Sequence, residues 1–272
     1  MTETPTILAF FAHPDDETFL AGGTMAYYQA KGSRVVICSA TRGEEGEIAE
    51  GVPADPETLG EFREDELRRA MKAIGVTDVR FLGYRDSGMA GTETNNAPGA
   101  FSQAPVEETG RKVADLFDNV RPDIVIAFSQ EGIYLHPDHI ASHNAAAAAI
   151  EIASSDPARH RPNAVLWTTL PRDWFFRLWE TEGNPFAEMP LETIEQMGVP
   201  RGELTHAVDV REFRDQIEEA FRAHASQFGT GDPFDWMPEE LAAEFSRNNY
   251  FVQASLPWNG KAELPDHFRP LS

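Results

Sequence analysis

Apolar residues cluster in short runs that alternate with longer stretches of mixed character. Residues 6–12, 34–40, 79–82, 124–128 and 164–168 are runs of strand length. Between them, 18–30, 59–74, 106–120 and 138–154 have helical length. In 59–74, Phe62, Leu67, Ala70, Met71 and Ile74 recur at near-helical spacing. Gly32 and Gly75 stand where the first two helices should stop. Strands alternating with helices predict an α/β fold, with a doubly wound, mostly parallel sheet and right-handed crossovers. Residues 90–104 are small and polar and read as a long mobile loop. Beyond Pro171 the pattern weakens. Trp174, Phe175, Phe176 and Trp179 read as core or lid packing, with a substrate platform as the alternative. Residues 211–228 read as one more helix, and the segment from Asp232 to Met237 with the C-terminal tail as a cover. No repeat or linker divides the chain. A single domain over 1–272 is expected, with a core of about 6–170 and a smaller covering region over 171–272.

Two strand ends carry unusual chemistry. The run 6–12 stops in His13-Pro14-Asp15-Asp16-Glu17, and 124–128 is followed by Tyr134-Leu135-His136-Pro137-Asp138-His139. Proline stiffens both turns. In a doubly wound sheet the ends of strands one and four flank the point where strand order reverses, which is where such folds place a site. Two turns far apart in sequence are therefore expected to build one centre.

A catalytic zinc site takes three protein ligands and keeps a position open. Cys38 is the only cysteine, so a metal must be held by His, Asp or Glu. His13, Asp16 and His139 meet that need, and His143, four residues after His139, is the alternative third ligand. Asp15 is the candidate general base. For hydrolysis of an amide, His136 is placed to stabilise the oxyanion or, as imidazolium, to protonate the leaving amine. The Tyr134 hydroxyl is a further oxyanion donor, and Asp138 is a candidate to orient His136 or His139. His160, His206 and His267 have no partner pattern and read as structural.

Charge removes several classes of partner. The net charge is −22, which repels nucleic acid, and no basic stripe offsets it. The four lysines, Lys31, Lys72, Lys112 and Lys261, are a minority of the 23 basic residues. A GC-rich genome, ahead of a salt-rich cytoplasm, accounts for that bias, and neither touches the reaction. No run of eighteen apolar residues predicts a membrane span. The N-terminus lacks a basic leader region, so no cleaved signal is expected and the cytoplasm is the default. Homo-oligomerisation is left open.

Together, Ala12-His13-Pro14-Asp15-Asp16-Glu17 and His136-Pro137-Asp138-His139 resemble the zinc-dependent N-acetylglucosaminyl deacetylases of the PIG-L/LmbE-like family. The likeness covers roughly residues 6–155. Thr41 to Glu47, Arg63 to Leu67, Gly83 to Met89 and His224-Ala225-Ser226-Gln227 resemble the mycothiol branch, which holds a GlcNAc-inositol deacetylase and a mycothiol S-conjugate amidase. The resemblance implies a Rossmann-like three-layer sandwich. It implies zinc, with Fe2+ able to occupy such sites, held by His13, Asp16 and His139. It implies Asp15 as base, His136 as the acid or oxyanion donor, and Tyr134 as a mobile group that reaches the carbonyl. Arg63, Asp86 and, less directly, Glu47 match residues that grip sugar or inositol hydroxyls. The implied substrate is a small N-acetylglucosaminyl glycoside, with bulkier S-conjugated glucosaminides as the alternative. A dehydrogenase-like nucleotide binder is disfavoured, because no G-x-G-x-x-G follows the first strand and acids stand where pyrophosphate would bind. A non-catalytic sugar-binding module would not need every presumed ligand together with the base.

Overall fold

The computed structural model describes residues 4–184, 186–231, 234 and 237–271. Asp232, Pro233, Asp235 and Trp236, expected in the covering segment, lie outside these residues.

Five strands run parallel in the order β3-β2-β1-β4-β5: β1 (Ile7–Phe11), β2 (Val35–Ser39), β3 (Asp78–Phe81), β4 (Ile124–Phe128) and β5 (Ala164–Thr169). Every residue of β1, β2 and β4 is buried, because both sheet faces are covered. Alternation then sorts each strand into two cores. Ile7, Ala9 and Phe11 pack with Leu20 and Met25 of α1 (Asp16–Ala30) and with Leu67 and Met71 of α2 (Leu59–Ala73). Leu8 and Phe10 face Val113 and Phe117 of α3 (Val106–Val120) and the alanines of the helix Pro137–Ser155. Those alanines have a packing reason. A Cβ on Gly110 of α3 would lie 2.6 Å from the Ala148 Cβ, so the two helices meet nearly backbone to backbone.

The C-terminal third does more than cover the core. β6 (His206–Asp209), β7 (Asn248–Gln253) and β8 (Arg269–Pro270) continue the same sheet in the order β5-β7-β6-β8, all antiparallel. These strands are hard to read in sequence because polar residues occupy buried positions. Asn249, for example, accepts from both the backbone N–H and the hydroxyl of Thr24. The single helix expected over 211–228 is interrupted at His224 (φ −86°, ψ 45°), giving Arg214–Ala223 and Ala225–Phe228. The stretch 90–104 is anchored near its C-terminal end. Phe101 is fully buried against Tyr84, and the Ser102 N–H donates to Ser87 Oγ at 2.9 Å.

Strand order reverses between β1 and β4, and the crevice beyond their carboxyl ends receives both ionisable turns. No helix among the described residues is long and apolar enough to cross a membrane.

Candidate active site

The turn after β1 is closed by Asp16, whose Oδ2 accepts the His13 backbone N–H at 2.7 Å. Asp15 takes φ 124°, ψ −34°, a region that costs a non-glycine residue on the order of 1–3 kcal/mol. Two groups hold it there. Its N–H donates to Glu17 Oε2 at 2.9 Å, and its Oδ2 accepts from Arg63 at 3.0 Å. Arg63 also donates to the carbonyls of Pro14 and Gly43, tying the first turn to the loop after β2.

The second turn is tighter still. Gly132, Ile133 and Leu135 all have positive φ, and Ile133 is β-branched at φ 65°, ψ −68°. This coil brings Tyr134 beside the rings of His136 and His139. Pro137 opens the next helix, and His136 caps it, with Nδ1 accepting the Asp138 N–H at 3.1 Å.

Hydrogen bonds fix which nitrogen of each ring carries a proton. His139 Nδ1 faces the Gly132 carbonyl at 3.1 Å, so it must donate, leaving Nε2 with a lone pair. His13 Nε2 faces Asp138 Oδ2 at 3.2 Å and Asp86 Oδ1 at 3.4 Å, so it donates, leaving Nδ1. The two remaining nitrogens lie 3.3 Å apart. The Asp16 carboxylate lies beside both, with Oδ2 3.4 Å from His13 Nδ1 and Oδ1 3.1 Å from His139 Nε2. A tetrahedral ion with bonds of about 2.0–2.1 Å has donor-to-donor edges of roughly 3.3 Å. Two ring nitrogens and a carboxylate packed this closely in a buried site repel one another unless positive charge lies between them. Burial alone would push His13 down, yet Asp86, Asp138 and Asp16 outweigh it and hold the ring well above its ordinary value. The surroundings therefore favour positive charge at this point, and a divalent cation fits the donor set.

Among the described residues, two groups bring one ligand atom from each residue within 4.8 Å of one another: His13, His136 and His139, and His13, Asp86 and Asp138. Neither fits as well. His136 Nδ1 is taken by the Asp138 amide, so neutral His136 presents an N–H rather than a lone pair. Asp86 accepts the Glu45 and Gly88 amides, and Asp138 accepts both the N–H and the hydroxyl of Ser87. Both carboxylates act on the outer side of His13.

That arrangement corrects one expectation. The Asp138 carboxylate meets His13, not His136 or His139, held there by Ser87, and Asp138 meets His136 only through its backbone N–H. It also separates the two roles offered for His136. Burial, with His13 and His139 beside it, pushes that ring down to about 2, which favours its neutral form. His143 is turned away, its Nδ1 2.8 Å from the Phe128 carbonyl. His160 and His206 bond to Pro122 and Thr205, and His267 stacks on Tyr27, all outside the site.

Two cavities meet at Asp15 and Tyr134. One, of about 520 Å³, is polar and is lined by Glu45, Glu47, Arg63, Asp86, His136 and Gln227 among others. The other, of about 230 Å³, is apolar, with Phe19, Leu170, Trp174, Phe175, Phe186 and Phe245 in its wall beside Asp16 and His139. Trp174 and Phe175 are thus both core residues and cavity wall. The Asp15 side chain is 19% exposed and lines both cavities, and burial pushes its carboxyl up to about 6 despite Arg63. Burial likewise keeps the Tyr134 hydroxyl protonated, its value above the usual range.

Residues 8–150 match the family described as PIG-L, GlcNAc-PI de-N-acetylase. The chain is 37% identical to a 1D-myo-inositol 2-acetamido-2-deoxy-alpha-D-glucopyranoside deacetylase of Geodermatophilus obscurus, over 92% of each chain. The chain belongs to the PIG-L family. A second deacetylase of the same name, from Acidothermus cellulolyticus, is 38% identical over 91% of this chain and 88% of its own. Among solved structures, a deacetylase of teicoplanin biosynthesis superimposes with a TM-score of 0.62 at 18% identity, covering 91% of this chain and 97% of that one. The 4-carboxy-2-hydroxymuconate hydratase GalB of Pseudomonas putida gives 0.60 at 17%, covering 99% and 100%. Those two likenesses concern the fold alone, which carries more than one chemistry.

Within this PIG-L chain, sequence reasoning missed a layer of buried support. Ser87 holds Asp138, Glu17 pairs with His224, and Glu66 pairs with Ser226. A signal was present for one of them. Arg63 and Glu66 fall on the same face of α2 as Leu67 and Ala70, where an exposed charge would not belong.

Proposed function

We propose that the chain is a zinc-dependent deacetylase of an N-acetylglucosamine-type amide in a small glycoside, with Fe2+ as the alternative metal. GlcNAc-inositol, the substrate named for its relatives, is the first compound to test. The observation that carries this reading is the convergence of His13 Nδ1, His139 Nε2 and Asp16, with Asp15 facing two cavities of opposite character.

When bound by His13, Asp16 and His139, a divalent metal supplies Lewis acidity and makes water a stronger acid. The chain's own groups do the rest. The hydroxyl-rich part of the substrate lies in the polar cavity, gripped by Arg63 and Asp86, with Glu47 at its open edge. The acyl carbon then stands near Asp15, and the acyl tail turns towards the aromatic cavity. Asp15 takes a proton from the attacking water and later returns it to the leaving nitrogen. The neutral His136 donates through Nε2–H to the oxygen that gains charge as the carbonyl becomes tetrahedral, and the Tyr134 hydroxyl is the second donor. Asp138 holds the His13 ring in the tautomer that the donor set requires.

A second reading is favoured by the apolar cavity, whose volume of about 230 Å³ far exceeds what an acetyl methyl fills. It supports amides with bulkier apolar acyl groups, as in S-conjugated glucosaminides. The test offers the zinc-loaded protein GlcNAc, GlcNAc-inositol and an S-conjugated N-acyl glucosaminide, and measures released amine. Release from the inositol glycoside, lost on chelation and restored by zinc, is expected. Equal release after exhaustive chelation would overturn the reading.

A further inference from the structure

The tetrapeptide His224-Ala225-Ser226-Gln227 lies more than 200 residues after Asp15 and contributes only Gln227 to the polar cavity. Its other two polar side chains are fully buried and bonded to acids. We infer that this segment is a positioning device for Asp15, with His224 fixing Glu17 and Ser226 fixing the helix that carries Arg63. The inference rests on the reading of Asp15 as the base.

Asp15 has two holders, and each is anchored from this segment. Its strained backbone is held by Glu17 Oε2, and the other oxygen of that carboxylate accepts from His224 Nε2 at 2.9 Å and from the Thr18 hydroxyl at 2.6 Å. Its carboxylate is held by Arg63. One turn further along α2, Glu66 accepts the Ser226 N–H at 2.8 Å with Oε1 and the Ser226 hydroxyl with Oε2. Glu17 and Glu66 are both completely buried, so each carboxylate needs those donors to remain in place. The helix breaks at His224, and from there three polar side chains reach α1, α2 and the loop after β2 in turn. The third contact runs from Gln227 Nε2 to the Glu47 carbonyl at 3.2 Å, alongside Ala49 N–H to the Ser226 carbonyl at 2.8 Å.

The test compares His224→Gln with His224→Asn. Glutamine places an amide N–H near the position of Nε2, and asparagine places it near Nδ1, which has no partner among the described residues. His224→Gln should keep kcat within about threefold. His224→Asn should lose about 10- to 100-fold in kcat from a misplaced base, with KM within about twofold and the metal content unchanged. A crystal structure of His224→Asn should show Asp15 released from φ 124°. Equal kcat in the two variants would overturn the inference. So would a loss of metal in proportion to activity, because the effect would then pass through Asp16. Asp15→Ala separates the two levels of the argument. Full turnover in that variant sinks the base assignment itself, whereas inactive Asp15→Ala beside fully active His224→Asn sinks only the positioning role.

Discussion

His13 Nδ1 and His139 Nε2 lie 3.3 Å apart across 126 residues of sequence, and the other nitrogen of each ring is already committed to an acceptor. Neither ring can turn to relieve that approach without losing a buried hydrogen bond. His139→Ala should therefore lose the metal, measured as metal per chain after gel filtration. His143→Ala should keep it, because that ring serves the Phe128 carbonyl. A full metal complement in His139→Ala would move the third ligand elsewhere.

Asp15→Ala should bind metal normally and lose most of its turnover. The pH dependence follows from its environment. Burial raises its carboxyl to about 6, and a proton-accepting base must be ionised, so kcat/KM should fall as pH drops through that region. A bound cation favours the carboxylate, which makes about 6 the upper bound for this limb. An acid limb that persists in the residual activity of Asp15→Ala would assign it to another group.

Arg63 has two duties that substitution cannot separate. It faces the polar cavity, and it also donates to Pro14, Gly43 and Asp15 while only 3% exposed. Arg63→Ala should raise KM and lower kcat together, not raise KM alone. It should also cost about 1–3 kcal/mol in denaturant unfolding, because buried acceptors lose their donor. An unchanged kcat would show that Asp15 keeps its position without the guanidinium.

The parallel half of the fold was legible because residues buried on both sheet faces make unbroken apolar runs, and β1 and β4 do so without exception. The metal-ligand candidates were legible because they stand in the two His-Pro-Asp turns that come after β1 and β4. What stayed hidden is the support behind them. Asp138 was assigned to its neighbours in sequence, whereas the structure pairs it with His13, 125 residues away. No local pattern encodes a contact of that kind. The antiparallel strands β6 and β7 were missed for a related reason. Their buried positions include Asn249 and Gln253, whose partners Thr24, Thr205 and Ala262 appear only once the chain is folded.

The His224–Glu17 pair also gives stability a pH dependence. Burial opposes charge on His224, but Glu17 and Asp15 outweigh it, so its folded value lies above the ordinary one. A histidine raised in the folded state contributes stability that is fully present below about pH 6.5 and is lost as pH rises through the folded value. The Tm difference between the natural protein and His224→Gln should therefore be largest in mild acid and shrink towards alkaline pH. A constant difference would show that the pair does not titrate in that range.

The aromatic cavity makes acyl length a direct probe of substrate orientation. Each methylene buried there is worth about 0.8 kcal/mol, or roughly fourfold in kcat/KM if the tail is held in the transition state. Along a series from acetyl to hexanoyl on the same glucosaminide, kcat/KM should climb until the space is full and then fall. Leu170 lines the cavity wall, so Leu170→Phe should remove the gain for the longer chains and leave the acetyl substrate within about threefold. The two measurements together test the direction in which the amide lies. A flat series would mean that the tail points elsewhere. A rising series untouched by Leu170→Phe would place the tail outside this cavity, and the aromatic wall would then serve packing alone.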